Sequence, residues 1–150
     1  MTSTPAATGR PIAPVMRAVR VARSPEDTFR LFTEEMGAWW PMASHSVFGA
    51  EATVAVEGAE VVETGPDGRR TVWAEVVECD PPHLFTMRWH PGTDPATPTT
   101  VEVRFLADGD GTRVELTHTG WEVLGERAAR ARESYDEGWV PVLDRLVAAA

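Results

Sequence analysis

"TTVEVRFLADGDGTRVELTHTGW", residues 99–121, decides the fold. Over 99–107, Val101, Val103 and Phe105 alternate with Glu102 and Arg104, the period of a half-buried strand. "DGDGT" turns the chain, and over 113–119 the alternation resumes with Val114, Leu116 and His118 on one face. Two such strands joined by a short turn form an antiparallel hairpin with one dry and one wet side. His118 falls on the dry side, where a lone histidine most simply makes one structural hydrogen bond.

Working upstream, short strand-like runs dominate from residue 53. "TVAVE" (53–57) alternates, "AEVVETGPDGRRTVWAEVVE" reads as a hairpin around Pro66-Asp67-Gly68, and "HLFTMRWH" (83–90) puts Phe85, Met87 and Trp89 on one side and Arg88 towards solvent. "VMRAVRVA" (15–22) is a further strand. Between it and the others, "RSPEDTFRLFTEEMG" reads as a helix capped by Ser24, with Pro25 at its first position and Glu26 and Asp27 in its first turn. Phe29, Phe32 and Met36 form its buried face, and Gly37 is the expected left-handed terminator. Downstream, from Trp121 to the C-terminus, Leu124, Ala128, Ala131, Tyr135, Trp139, Val142, Leu143 and Leu146 step by three or four, the pattern of a long amphipathic helix. Pro141 inside it predicts a kink or break. The dry side of the sheet needs a cover, and this helix supplies it.

The 150 residues suit one domain, long enough to bury roughly 68–70% of the surface the unfolded chain exposes. Residues 1–14, rich in Ala, Thr and Pro, read as a disordered tail, and 15–150 as the domain. A net charge of −9 opposes binding to nucleic acid or an anionic membrane. No apolar run reaches the ~18 residues of a membrane helix. All 14 basic residues are arginine, which excludes Schiff-base lysine chemistry and a phosphate-loop lysine. Cys79 is the single cysteine, so no intrachain disulfide forms, and a reducing, cytoplasmic setting fits. Cys79 itself reads as a small buried hydrophobe.

No metal is expected, because His45, His83, His90 and His118 lack ligand spacing. No nucleophile elbow, phosphate loop or dinucleotide fingerprint is present either, and no cofactor is expected. What stands out is the number of polar-tipped aromatics aimed at one space: Trp89, Trp121, Tyr135 and Trp139, with the adjacent Trp39 and Trp40 of "EEMGAWWPMASHS" (34–46) nearby. Tyr135 and Trp139, one turn apart, are most simply core packing, but buried Trp and Tyr need partners for their N–H and O–H, and an apolar space with a few polar tips is what a small-molecule pocket looks like. Pro41 biases Trp40 to extended backbone. One of the two tryptophans is then expected in the helix–sheet core and the other at the cavity mouth, with His45 adding a polar tip.

"SPEDTFRLFTEEMGAWWPMASHSVFG", "AEVVECDPPHLFTMRWHPG", "VEVRFLADGDGTRVELTHTGWEVLGERA" and "YDEGWVPVLDRLVA" together resemble the activator-of-heat-shock-protein-ATPase homologue (AHSA1-type) group of the START-related SRPBCC superfamily, over residues 15 to 148. The resemblance implies an α+β helix-grip fold: a curved antiparallel sheet of six or seven strands around the C-terminal helix, enclosing a cavity. Its motif positions fall on Trp39, Trp40, Pro41, His45, Trp89, His118, Gly120, Trp121, Tyr135, Gly138 and Trp139. The chain departs from the pattern in "VEGAEVVETG", where Gly58 stands alone and Val62 takes the place of an aromatic before a Glu.

The expected function is binding of a small hydrophobic or aromatic molecule by Trp39, Trp40, His45, Trp89, His118, Trp121, Tyr135 and Trp139, and a homodimer is a further partner considered. One alternative is a cyclase-, aromatase- or hydrolase-like enzyme in the same cavity, metal-free, with His118 or His45 as proton shuttle and Tyr135 as donor. The other is stimulation of a chaperone ATPase through the acidic surface.

Overall fold

The hairpin formed by residues 99–119 sits near one end of a seven-stranded antiparallel sheet. The computed structural model describes residues 12–150. The strands are β1 (Val15–Val21), β2 (Thr53–Glu57), β3 (Glu60–Thr64), β4 (Arg70–Asp80), β5 (Leu84–Trp89), β6 (Thr99–Asp108) and β7 (Gly111–Thr119), in spatial order β1-β7-β6-β5-β4-β3-β2. The alternation in 99–119 holds: Val101, Val103, Phe105, Val114, Leu116 and His118 are all buried on the concave side. Irregularities in register at Val61/Val62 and Val76/Glu78 bend the β3–β4 and β4–β5 pairs.

Two short helices follow β1: α1 (Pro25–Thr33) and the single turn α2 (Met36–Trp39). Ser24 caps α1 by accepting from the Asp27 amide at 3.2 Å. Gly37 does not end α1 in a left-handed residue as expected. The chain leaves α1 at Glu34 and re-enters helix in α2, which contains Gly37. Its glycine is required for a different reason, since a Cβ there would lie 2.6 Å from the carbonyl oxygen of Val54. Close approach of α2 to β2, not backbone handedness, selects it.

The C-terminal helix begins later than the periodicity predicts. Trp121–Arg127 forms a 3₁₀ segment interrupted at Gly125 (φ 60°, ψ −125°), and the α-helix α3 runs Ala128–Ala149. No break occurs at Pro141, which lies inside an uninterrupted α3. Arginines tie α3 to the rest of the fold. Arg17 of β1 donates to the Asp136 carbonyl at 2.8 Å and pairs with its carboxylate, and Arg145 donates to the Trp39 carbonyl. Arg23 donates to the Ala149 carbonyl at the helix C-terminus, where cations are favoured.

Of the tail expected over 1–14, residues 1–11 lie outside the described residues. Residues 12–14 are held: Ile12 packs on the core, and Arg132 donates to the carbonyls of Ala13 and Pro14. Cys79 is exposed rather than buried: it pairs with the buried Phe85 on the inner face of the sheet, but there it lines an open concavity that α3 does not cover. Among the described residues no helix is long and apolar enough to cross a membrane.

Candidate functional site

Trp39 and Trp40 take different positions in one continuous aromatic cluster. Trp39 ends α2 against Phe32 (ring centroids 5.4 Å apart) and donates its N–H to the Leu31 carbonyl at 2.8 Å. Trp40 is extended (φ −62°, ψ 132°), as a residue before proline should be. Its ring lies 5.1 Å from Trp73, 6.0 Å from Trp89 and edge-on to Trp139 at 6.0 Å. Both rings are buried and stand 5.7 Å apart, so adjacency did not force them to opposite sides. The helical turn at Trp39 and the extended Trp40 aim them at neighbouring parts of the same core.

Trp40 is also a wall of a cleft between the sheet, α3 and the loop after α2. The cleft has two adjoining lobes of about 180 Å³ and about 230 Å³, both lined by Trp40, Ser44, His45, Trp89 and Tyr135. Trp73 and Val47 extend the first lobe, and Gly138, Trp139 and Val142 the second. Five of the eight residues expected to contact a ligand, Trp40, His45, Trp89, Tyr135 and Trp139, therefore line the cleft. Trp39, His118 and Trp121 stand behind it.

His118 is the hub of the layer behind. Trp139 donates its indole N–H to His118 Nδ1 at 3.0 Å. An indole N–H can only donate, so Nδ1 accepts and the ring proton sits on Nε2, which donates to Thr99 Oγ1 at 2.7 Å. The threonine hydroxyl in turn donates to the Trp89 carbonyl at 3.2 Å. Trp121 covers the imidazole at 4.1 Å and donates to the His118 carbonyl. Burial disfavours the charged ring and pulls its pKa down to about 3, so it is neutral at physiological pH.

The chain of bonds ends at the cleft. Trp89 donates its indole N–H to the Tyr135 hydroxyl at 3.2 Å. Tyr135 thus accepts from Trp89, and its own O–H has no acceptor among the described residues. Burial raises the phenol's pKa, outweighing the Trp89 hydrogen bond, and keeps the proton in place. Across the mouth, His45 Nδ1 bonds Ser44 Oγ at 2.7 Å, and its Nε2 faces the Gly138 backbone. Trp40 donates to the His45 carbonyl at 2.7 Å, fixing the loop that carries the imidazole.

Sequence reasoning missed Glu63, which is fully buried. Its carboxylate accepts from the amides of Val47 (2.8 Å) and Phe48 (2.7 Å) and from the Trp73 indole (2.8 Å). A buried carboxylate needs such donors, and here they pin the cleft loop to the sheet. The available signal was the same-face spacing of Glu63 with the buried Val61. Thr99, at a strand start, carried none. Among the described residues no group of three His, Cys, Asp or Glu is placed to hold a metal ion.

A curved antiparallel sheet closed by a long C-terminal helix around an aromatic cleft defines a helix-grip protein. The chain belongs to the activator of Hsp90 ATPase homolog 1-like protein family (AHSA1), whose profile matches residues 22–150. It is similar to the solved structure of an anthrahydroquino-gamma-pyrone synthase, Txn09, complexed with SUM: 33% identity, 93% of this chain and 98% of that one covered, TM-score 0.65. Its fold is also that of the self-sacrificing resistance protein CalC from Micromonospora echinospora (23% identity, 91% and 93% covered, TM-score 0.62). Protein MLL2253 from Mesorhizobium loti shares it too (19% identity, 89% and 93% covered, TM-score 0.62). No curated protein matches the chain.

Proposed function

We propose that the chain binds a small planar aromatic molecule carrying a carbonyl or phenolic oxygen in the cleft walled by Trp40, Trp89 and Trp139. The observation that carries this reading is the Tyr135 hydroxyl. It accepts from Trp89 and keeps its own O–H to donate to a ligand oxygen, within an apolar surround where a hydrogen bond confers orientation. Flat rings match indole walls by offset stacking. Each lobe alone lies below the roughly 300–1,000 Å³ of ordinary ligand pockets, and only the two adjoining lobes together reach its lower end, which favours a compact ligand that spans both. Similarity to a synthase of a fused aromatic product supports the same ligand class.

The test is titration with 1,8-dihydroxyanthraquinone, read by tryptophan fluorescence. Saturable quenching at micromolar concentration is expected. Linear, non-saturating quenching overturns the reading.

A catalytic reading of the same cleft is favoured by one feature, the juxtaposition of Tyr135 with His45. Tyr135 would hold a substrate oxygen, and His45 Nε2, which has no hydrogen-bond partner among the described residues, would take or return a proton. His118 would serve only to position Trp139, because both its ring nitrogens are engaged. Turnover of a polyketone probe that survives His45→Gln unchanged would remove His45 from this role.

A further inference from the structure

Glu63 carries a buried charge that nothing of opposite sign meets. Both of its oxygens accept N–H bonds, from the Val47 and Phe48 amides and the Trp73 indole. Neither oxygen has an acceptor to donate to among the described residues, which is the arrangement of an ionised carboxylate. No described arginine or histidine pairs with it. Arg69, over the Phe48 ring at 4.9 Å, is engaged by Asp67. Two of the three donors, Val47 and Trp73, line the first lobe of the aromatic cleft, so the charge sits one hydrogen bond away from that lobe's wall. The lining itself offers no compensation: indoles, serines, Val47, Pro91, His45 and Tyr135 face the lobe, and no guanidinium does.

We propose that Glu63 is a charge filter for the Trp73 lobe, admitting neutral aromatic molecules and excluding those that bear a carboxylate. This rests on the aromatic-ligand reading above. An anion entering the lobe would lose its water among indoles, find no guanidinium to replace it, and meet a like charge through a poorly screening medium. A neutral ligand of the same shape incurs neither cost. The N–H groups that hold Glu63 are already engaged by it and cannot serve an incoming anion. The net charge of −9 acts in the same direction at long range, but salt screens it, whereas the buried carboxylate is screened much less. The residue that pins the cleft loop thus also sets which ligands the loop encloses.

The experiment compares two probes of one shape, 1,8-dihydroxyanthraquinone-3-carboxamide and the 3-carboxylate, by tryptophan fluorescence at neutral pH in high salt, where long-range repulsion is screened. The amide should bind at least about tenfold more tightly. In Glu63→Gln that ratio should shrink by about fivefold, because a loosened loop weakens both probes alike while the lost charge favours only the anion. Glu63→Asp, which keeps the charge but not the reach, should loosen the loop and keep the ratio. In His45→Gln, which removes the one lining group able to carry a positive charge, the ratio should persist. Equal affinities in the wild-type protein, a comparison that needs no variant to fold, would overturn the proposal, and so would an unchanged ratio in Glu63→Gln. Failure of unsubstituted 1,8-dihydroxyanthraquinone to bind would overturn the ligand reading and this proposal together.

Discussion

Trp139 donates its indole N–H to Nδ1 of His118 at 3.0 Å, so α3 is locked to β7 through a neutral imidazole. Protonating Nδ1 would set two donors against each other and place a charge in the core.

Stability should therefore depend on pH through this one group. The folded-state pKa is depressed to about 3 from the ordinary 6.5. Between those values the unfolded chain holds a proton that the folded chain does not. The contribution is complete above pH 6.5 and is lost as pH falls towards 3, at about 1.4 kcal/mol per pH unit. In His118→Gln, whose amide can accept from Trp139 and donate to Thr99, the slope of unfolding free energy against pH between 4.5 and 6.5 should be shallower by about one proton. Urea denaturation across that range measures it, and parallel curves for the two proteins would refute the assignment.

Glu63 gives a more local prediction. In Glu63→Gln the amide oxygen can still serve Val47 and Trp73, which share Oε1, but the NH₂ then faces the Phe48 amide. Loss of about 2–3 kcal/mol is expected, with hydrogen exchange at Phe48 accelerated more than at Val47. Equal acceleration at both amides would mean that the loop is held by something other than this carboxylate.

These two residues show where the sequence was legible. Alternation identified Val101 to His118 as one buried face because a strand's period is local and the hairpin has no irregularity. Cys79 was misread from residue type, since a lone cysteine is usually buried, and nothing in β4 itself shows that the inner face opposite Phe85 is left uncovered there. Gly37 was recognisable as important but for the wrong reason, because the Val54 carbonyl that excludes a Cβ lies 17 residues away in sequence. The aromatic residues of the cleft were legible as a set. Their division into wall and backing was not, because Trp121 and Trp139 lie in the same C-terminal segment and only the interruption at Gly125 separates their environments.

Tyr135→Phe separates binding from packing better than removal of a tryptophan. Trp139→Ala would lose about 3–5 kcal/mol through its cavity and its bond to His118, and so would confuse ligand loss with unfolding. Tyr135→Phe keeps the ring and removes only the oxygen that Trp89 meets, at a cost of about 1 kcal/mol. Affinity for 1,8-dihydroxyanthraquinone should fall about tenfold, the worth of one hydrogen bond in a dry site. Undiminished affinity would show that the hydroxyl does not face the ligand.

Two glycines should respond oppositely to alanine. At Gly37 the new methyl would meet the Val54 carbonyl oxygen at 2.6 Å, and neither partner can yield, because both are backbone. Gly37→Ala should cost about 1–3 kcal/mol and disturb Trp40 beside it. At Gly138, inside α3, the nearest atom to an added Cβ is His45 Nε2 at 3.7 Å, an ordinary contact. Alanine there should raise stability by about 0.5–1 kcal/mol, because glycine is a poor helix former. The same methyl would stand in the cleft lobe that Gly138 lines and crowd the imidazole at its mouth. Gly138→Ala should then melt higher than the parent while binding 1,8-dihydroxyanthraquinone more weakly. A variant that gains stability and keeps full affinity would place the ligand away from the His45–Gly138 side, leaving the Trp73 lobe as its seat.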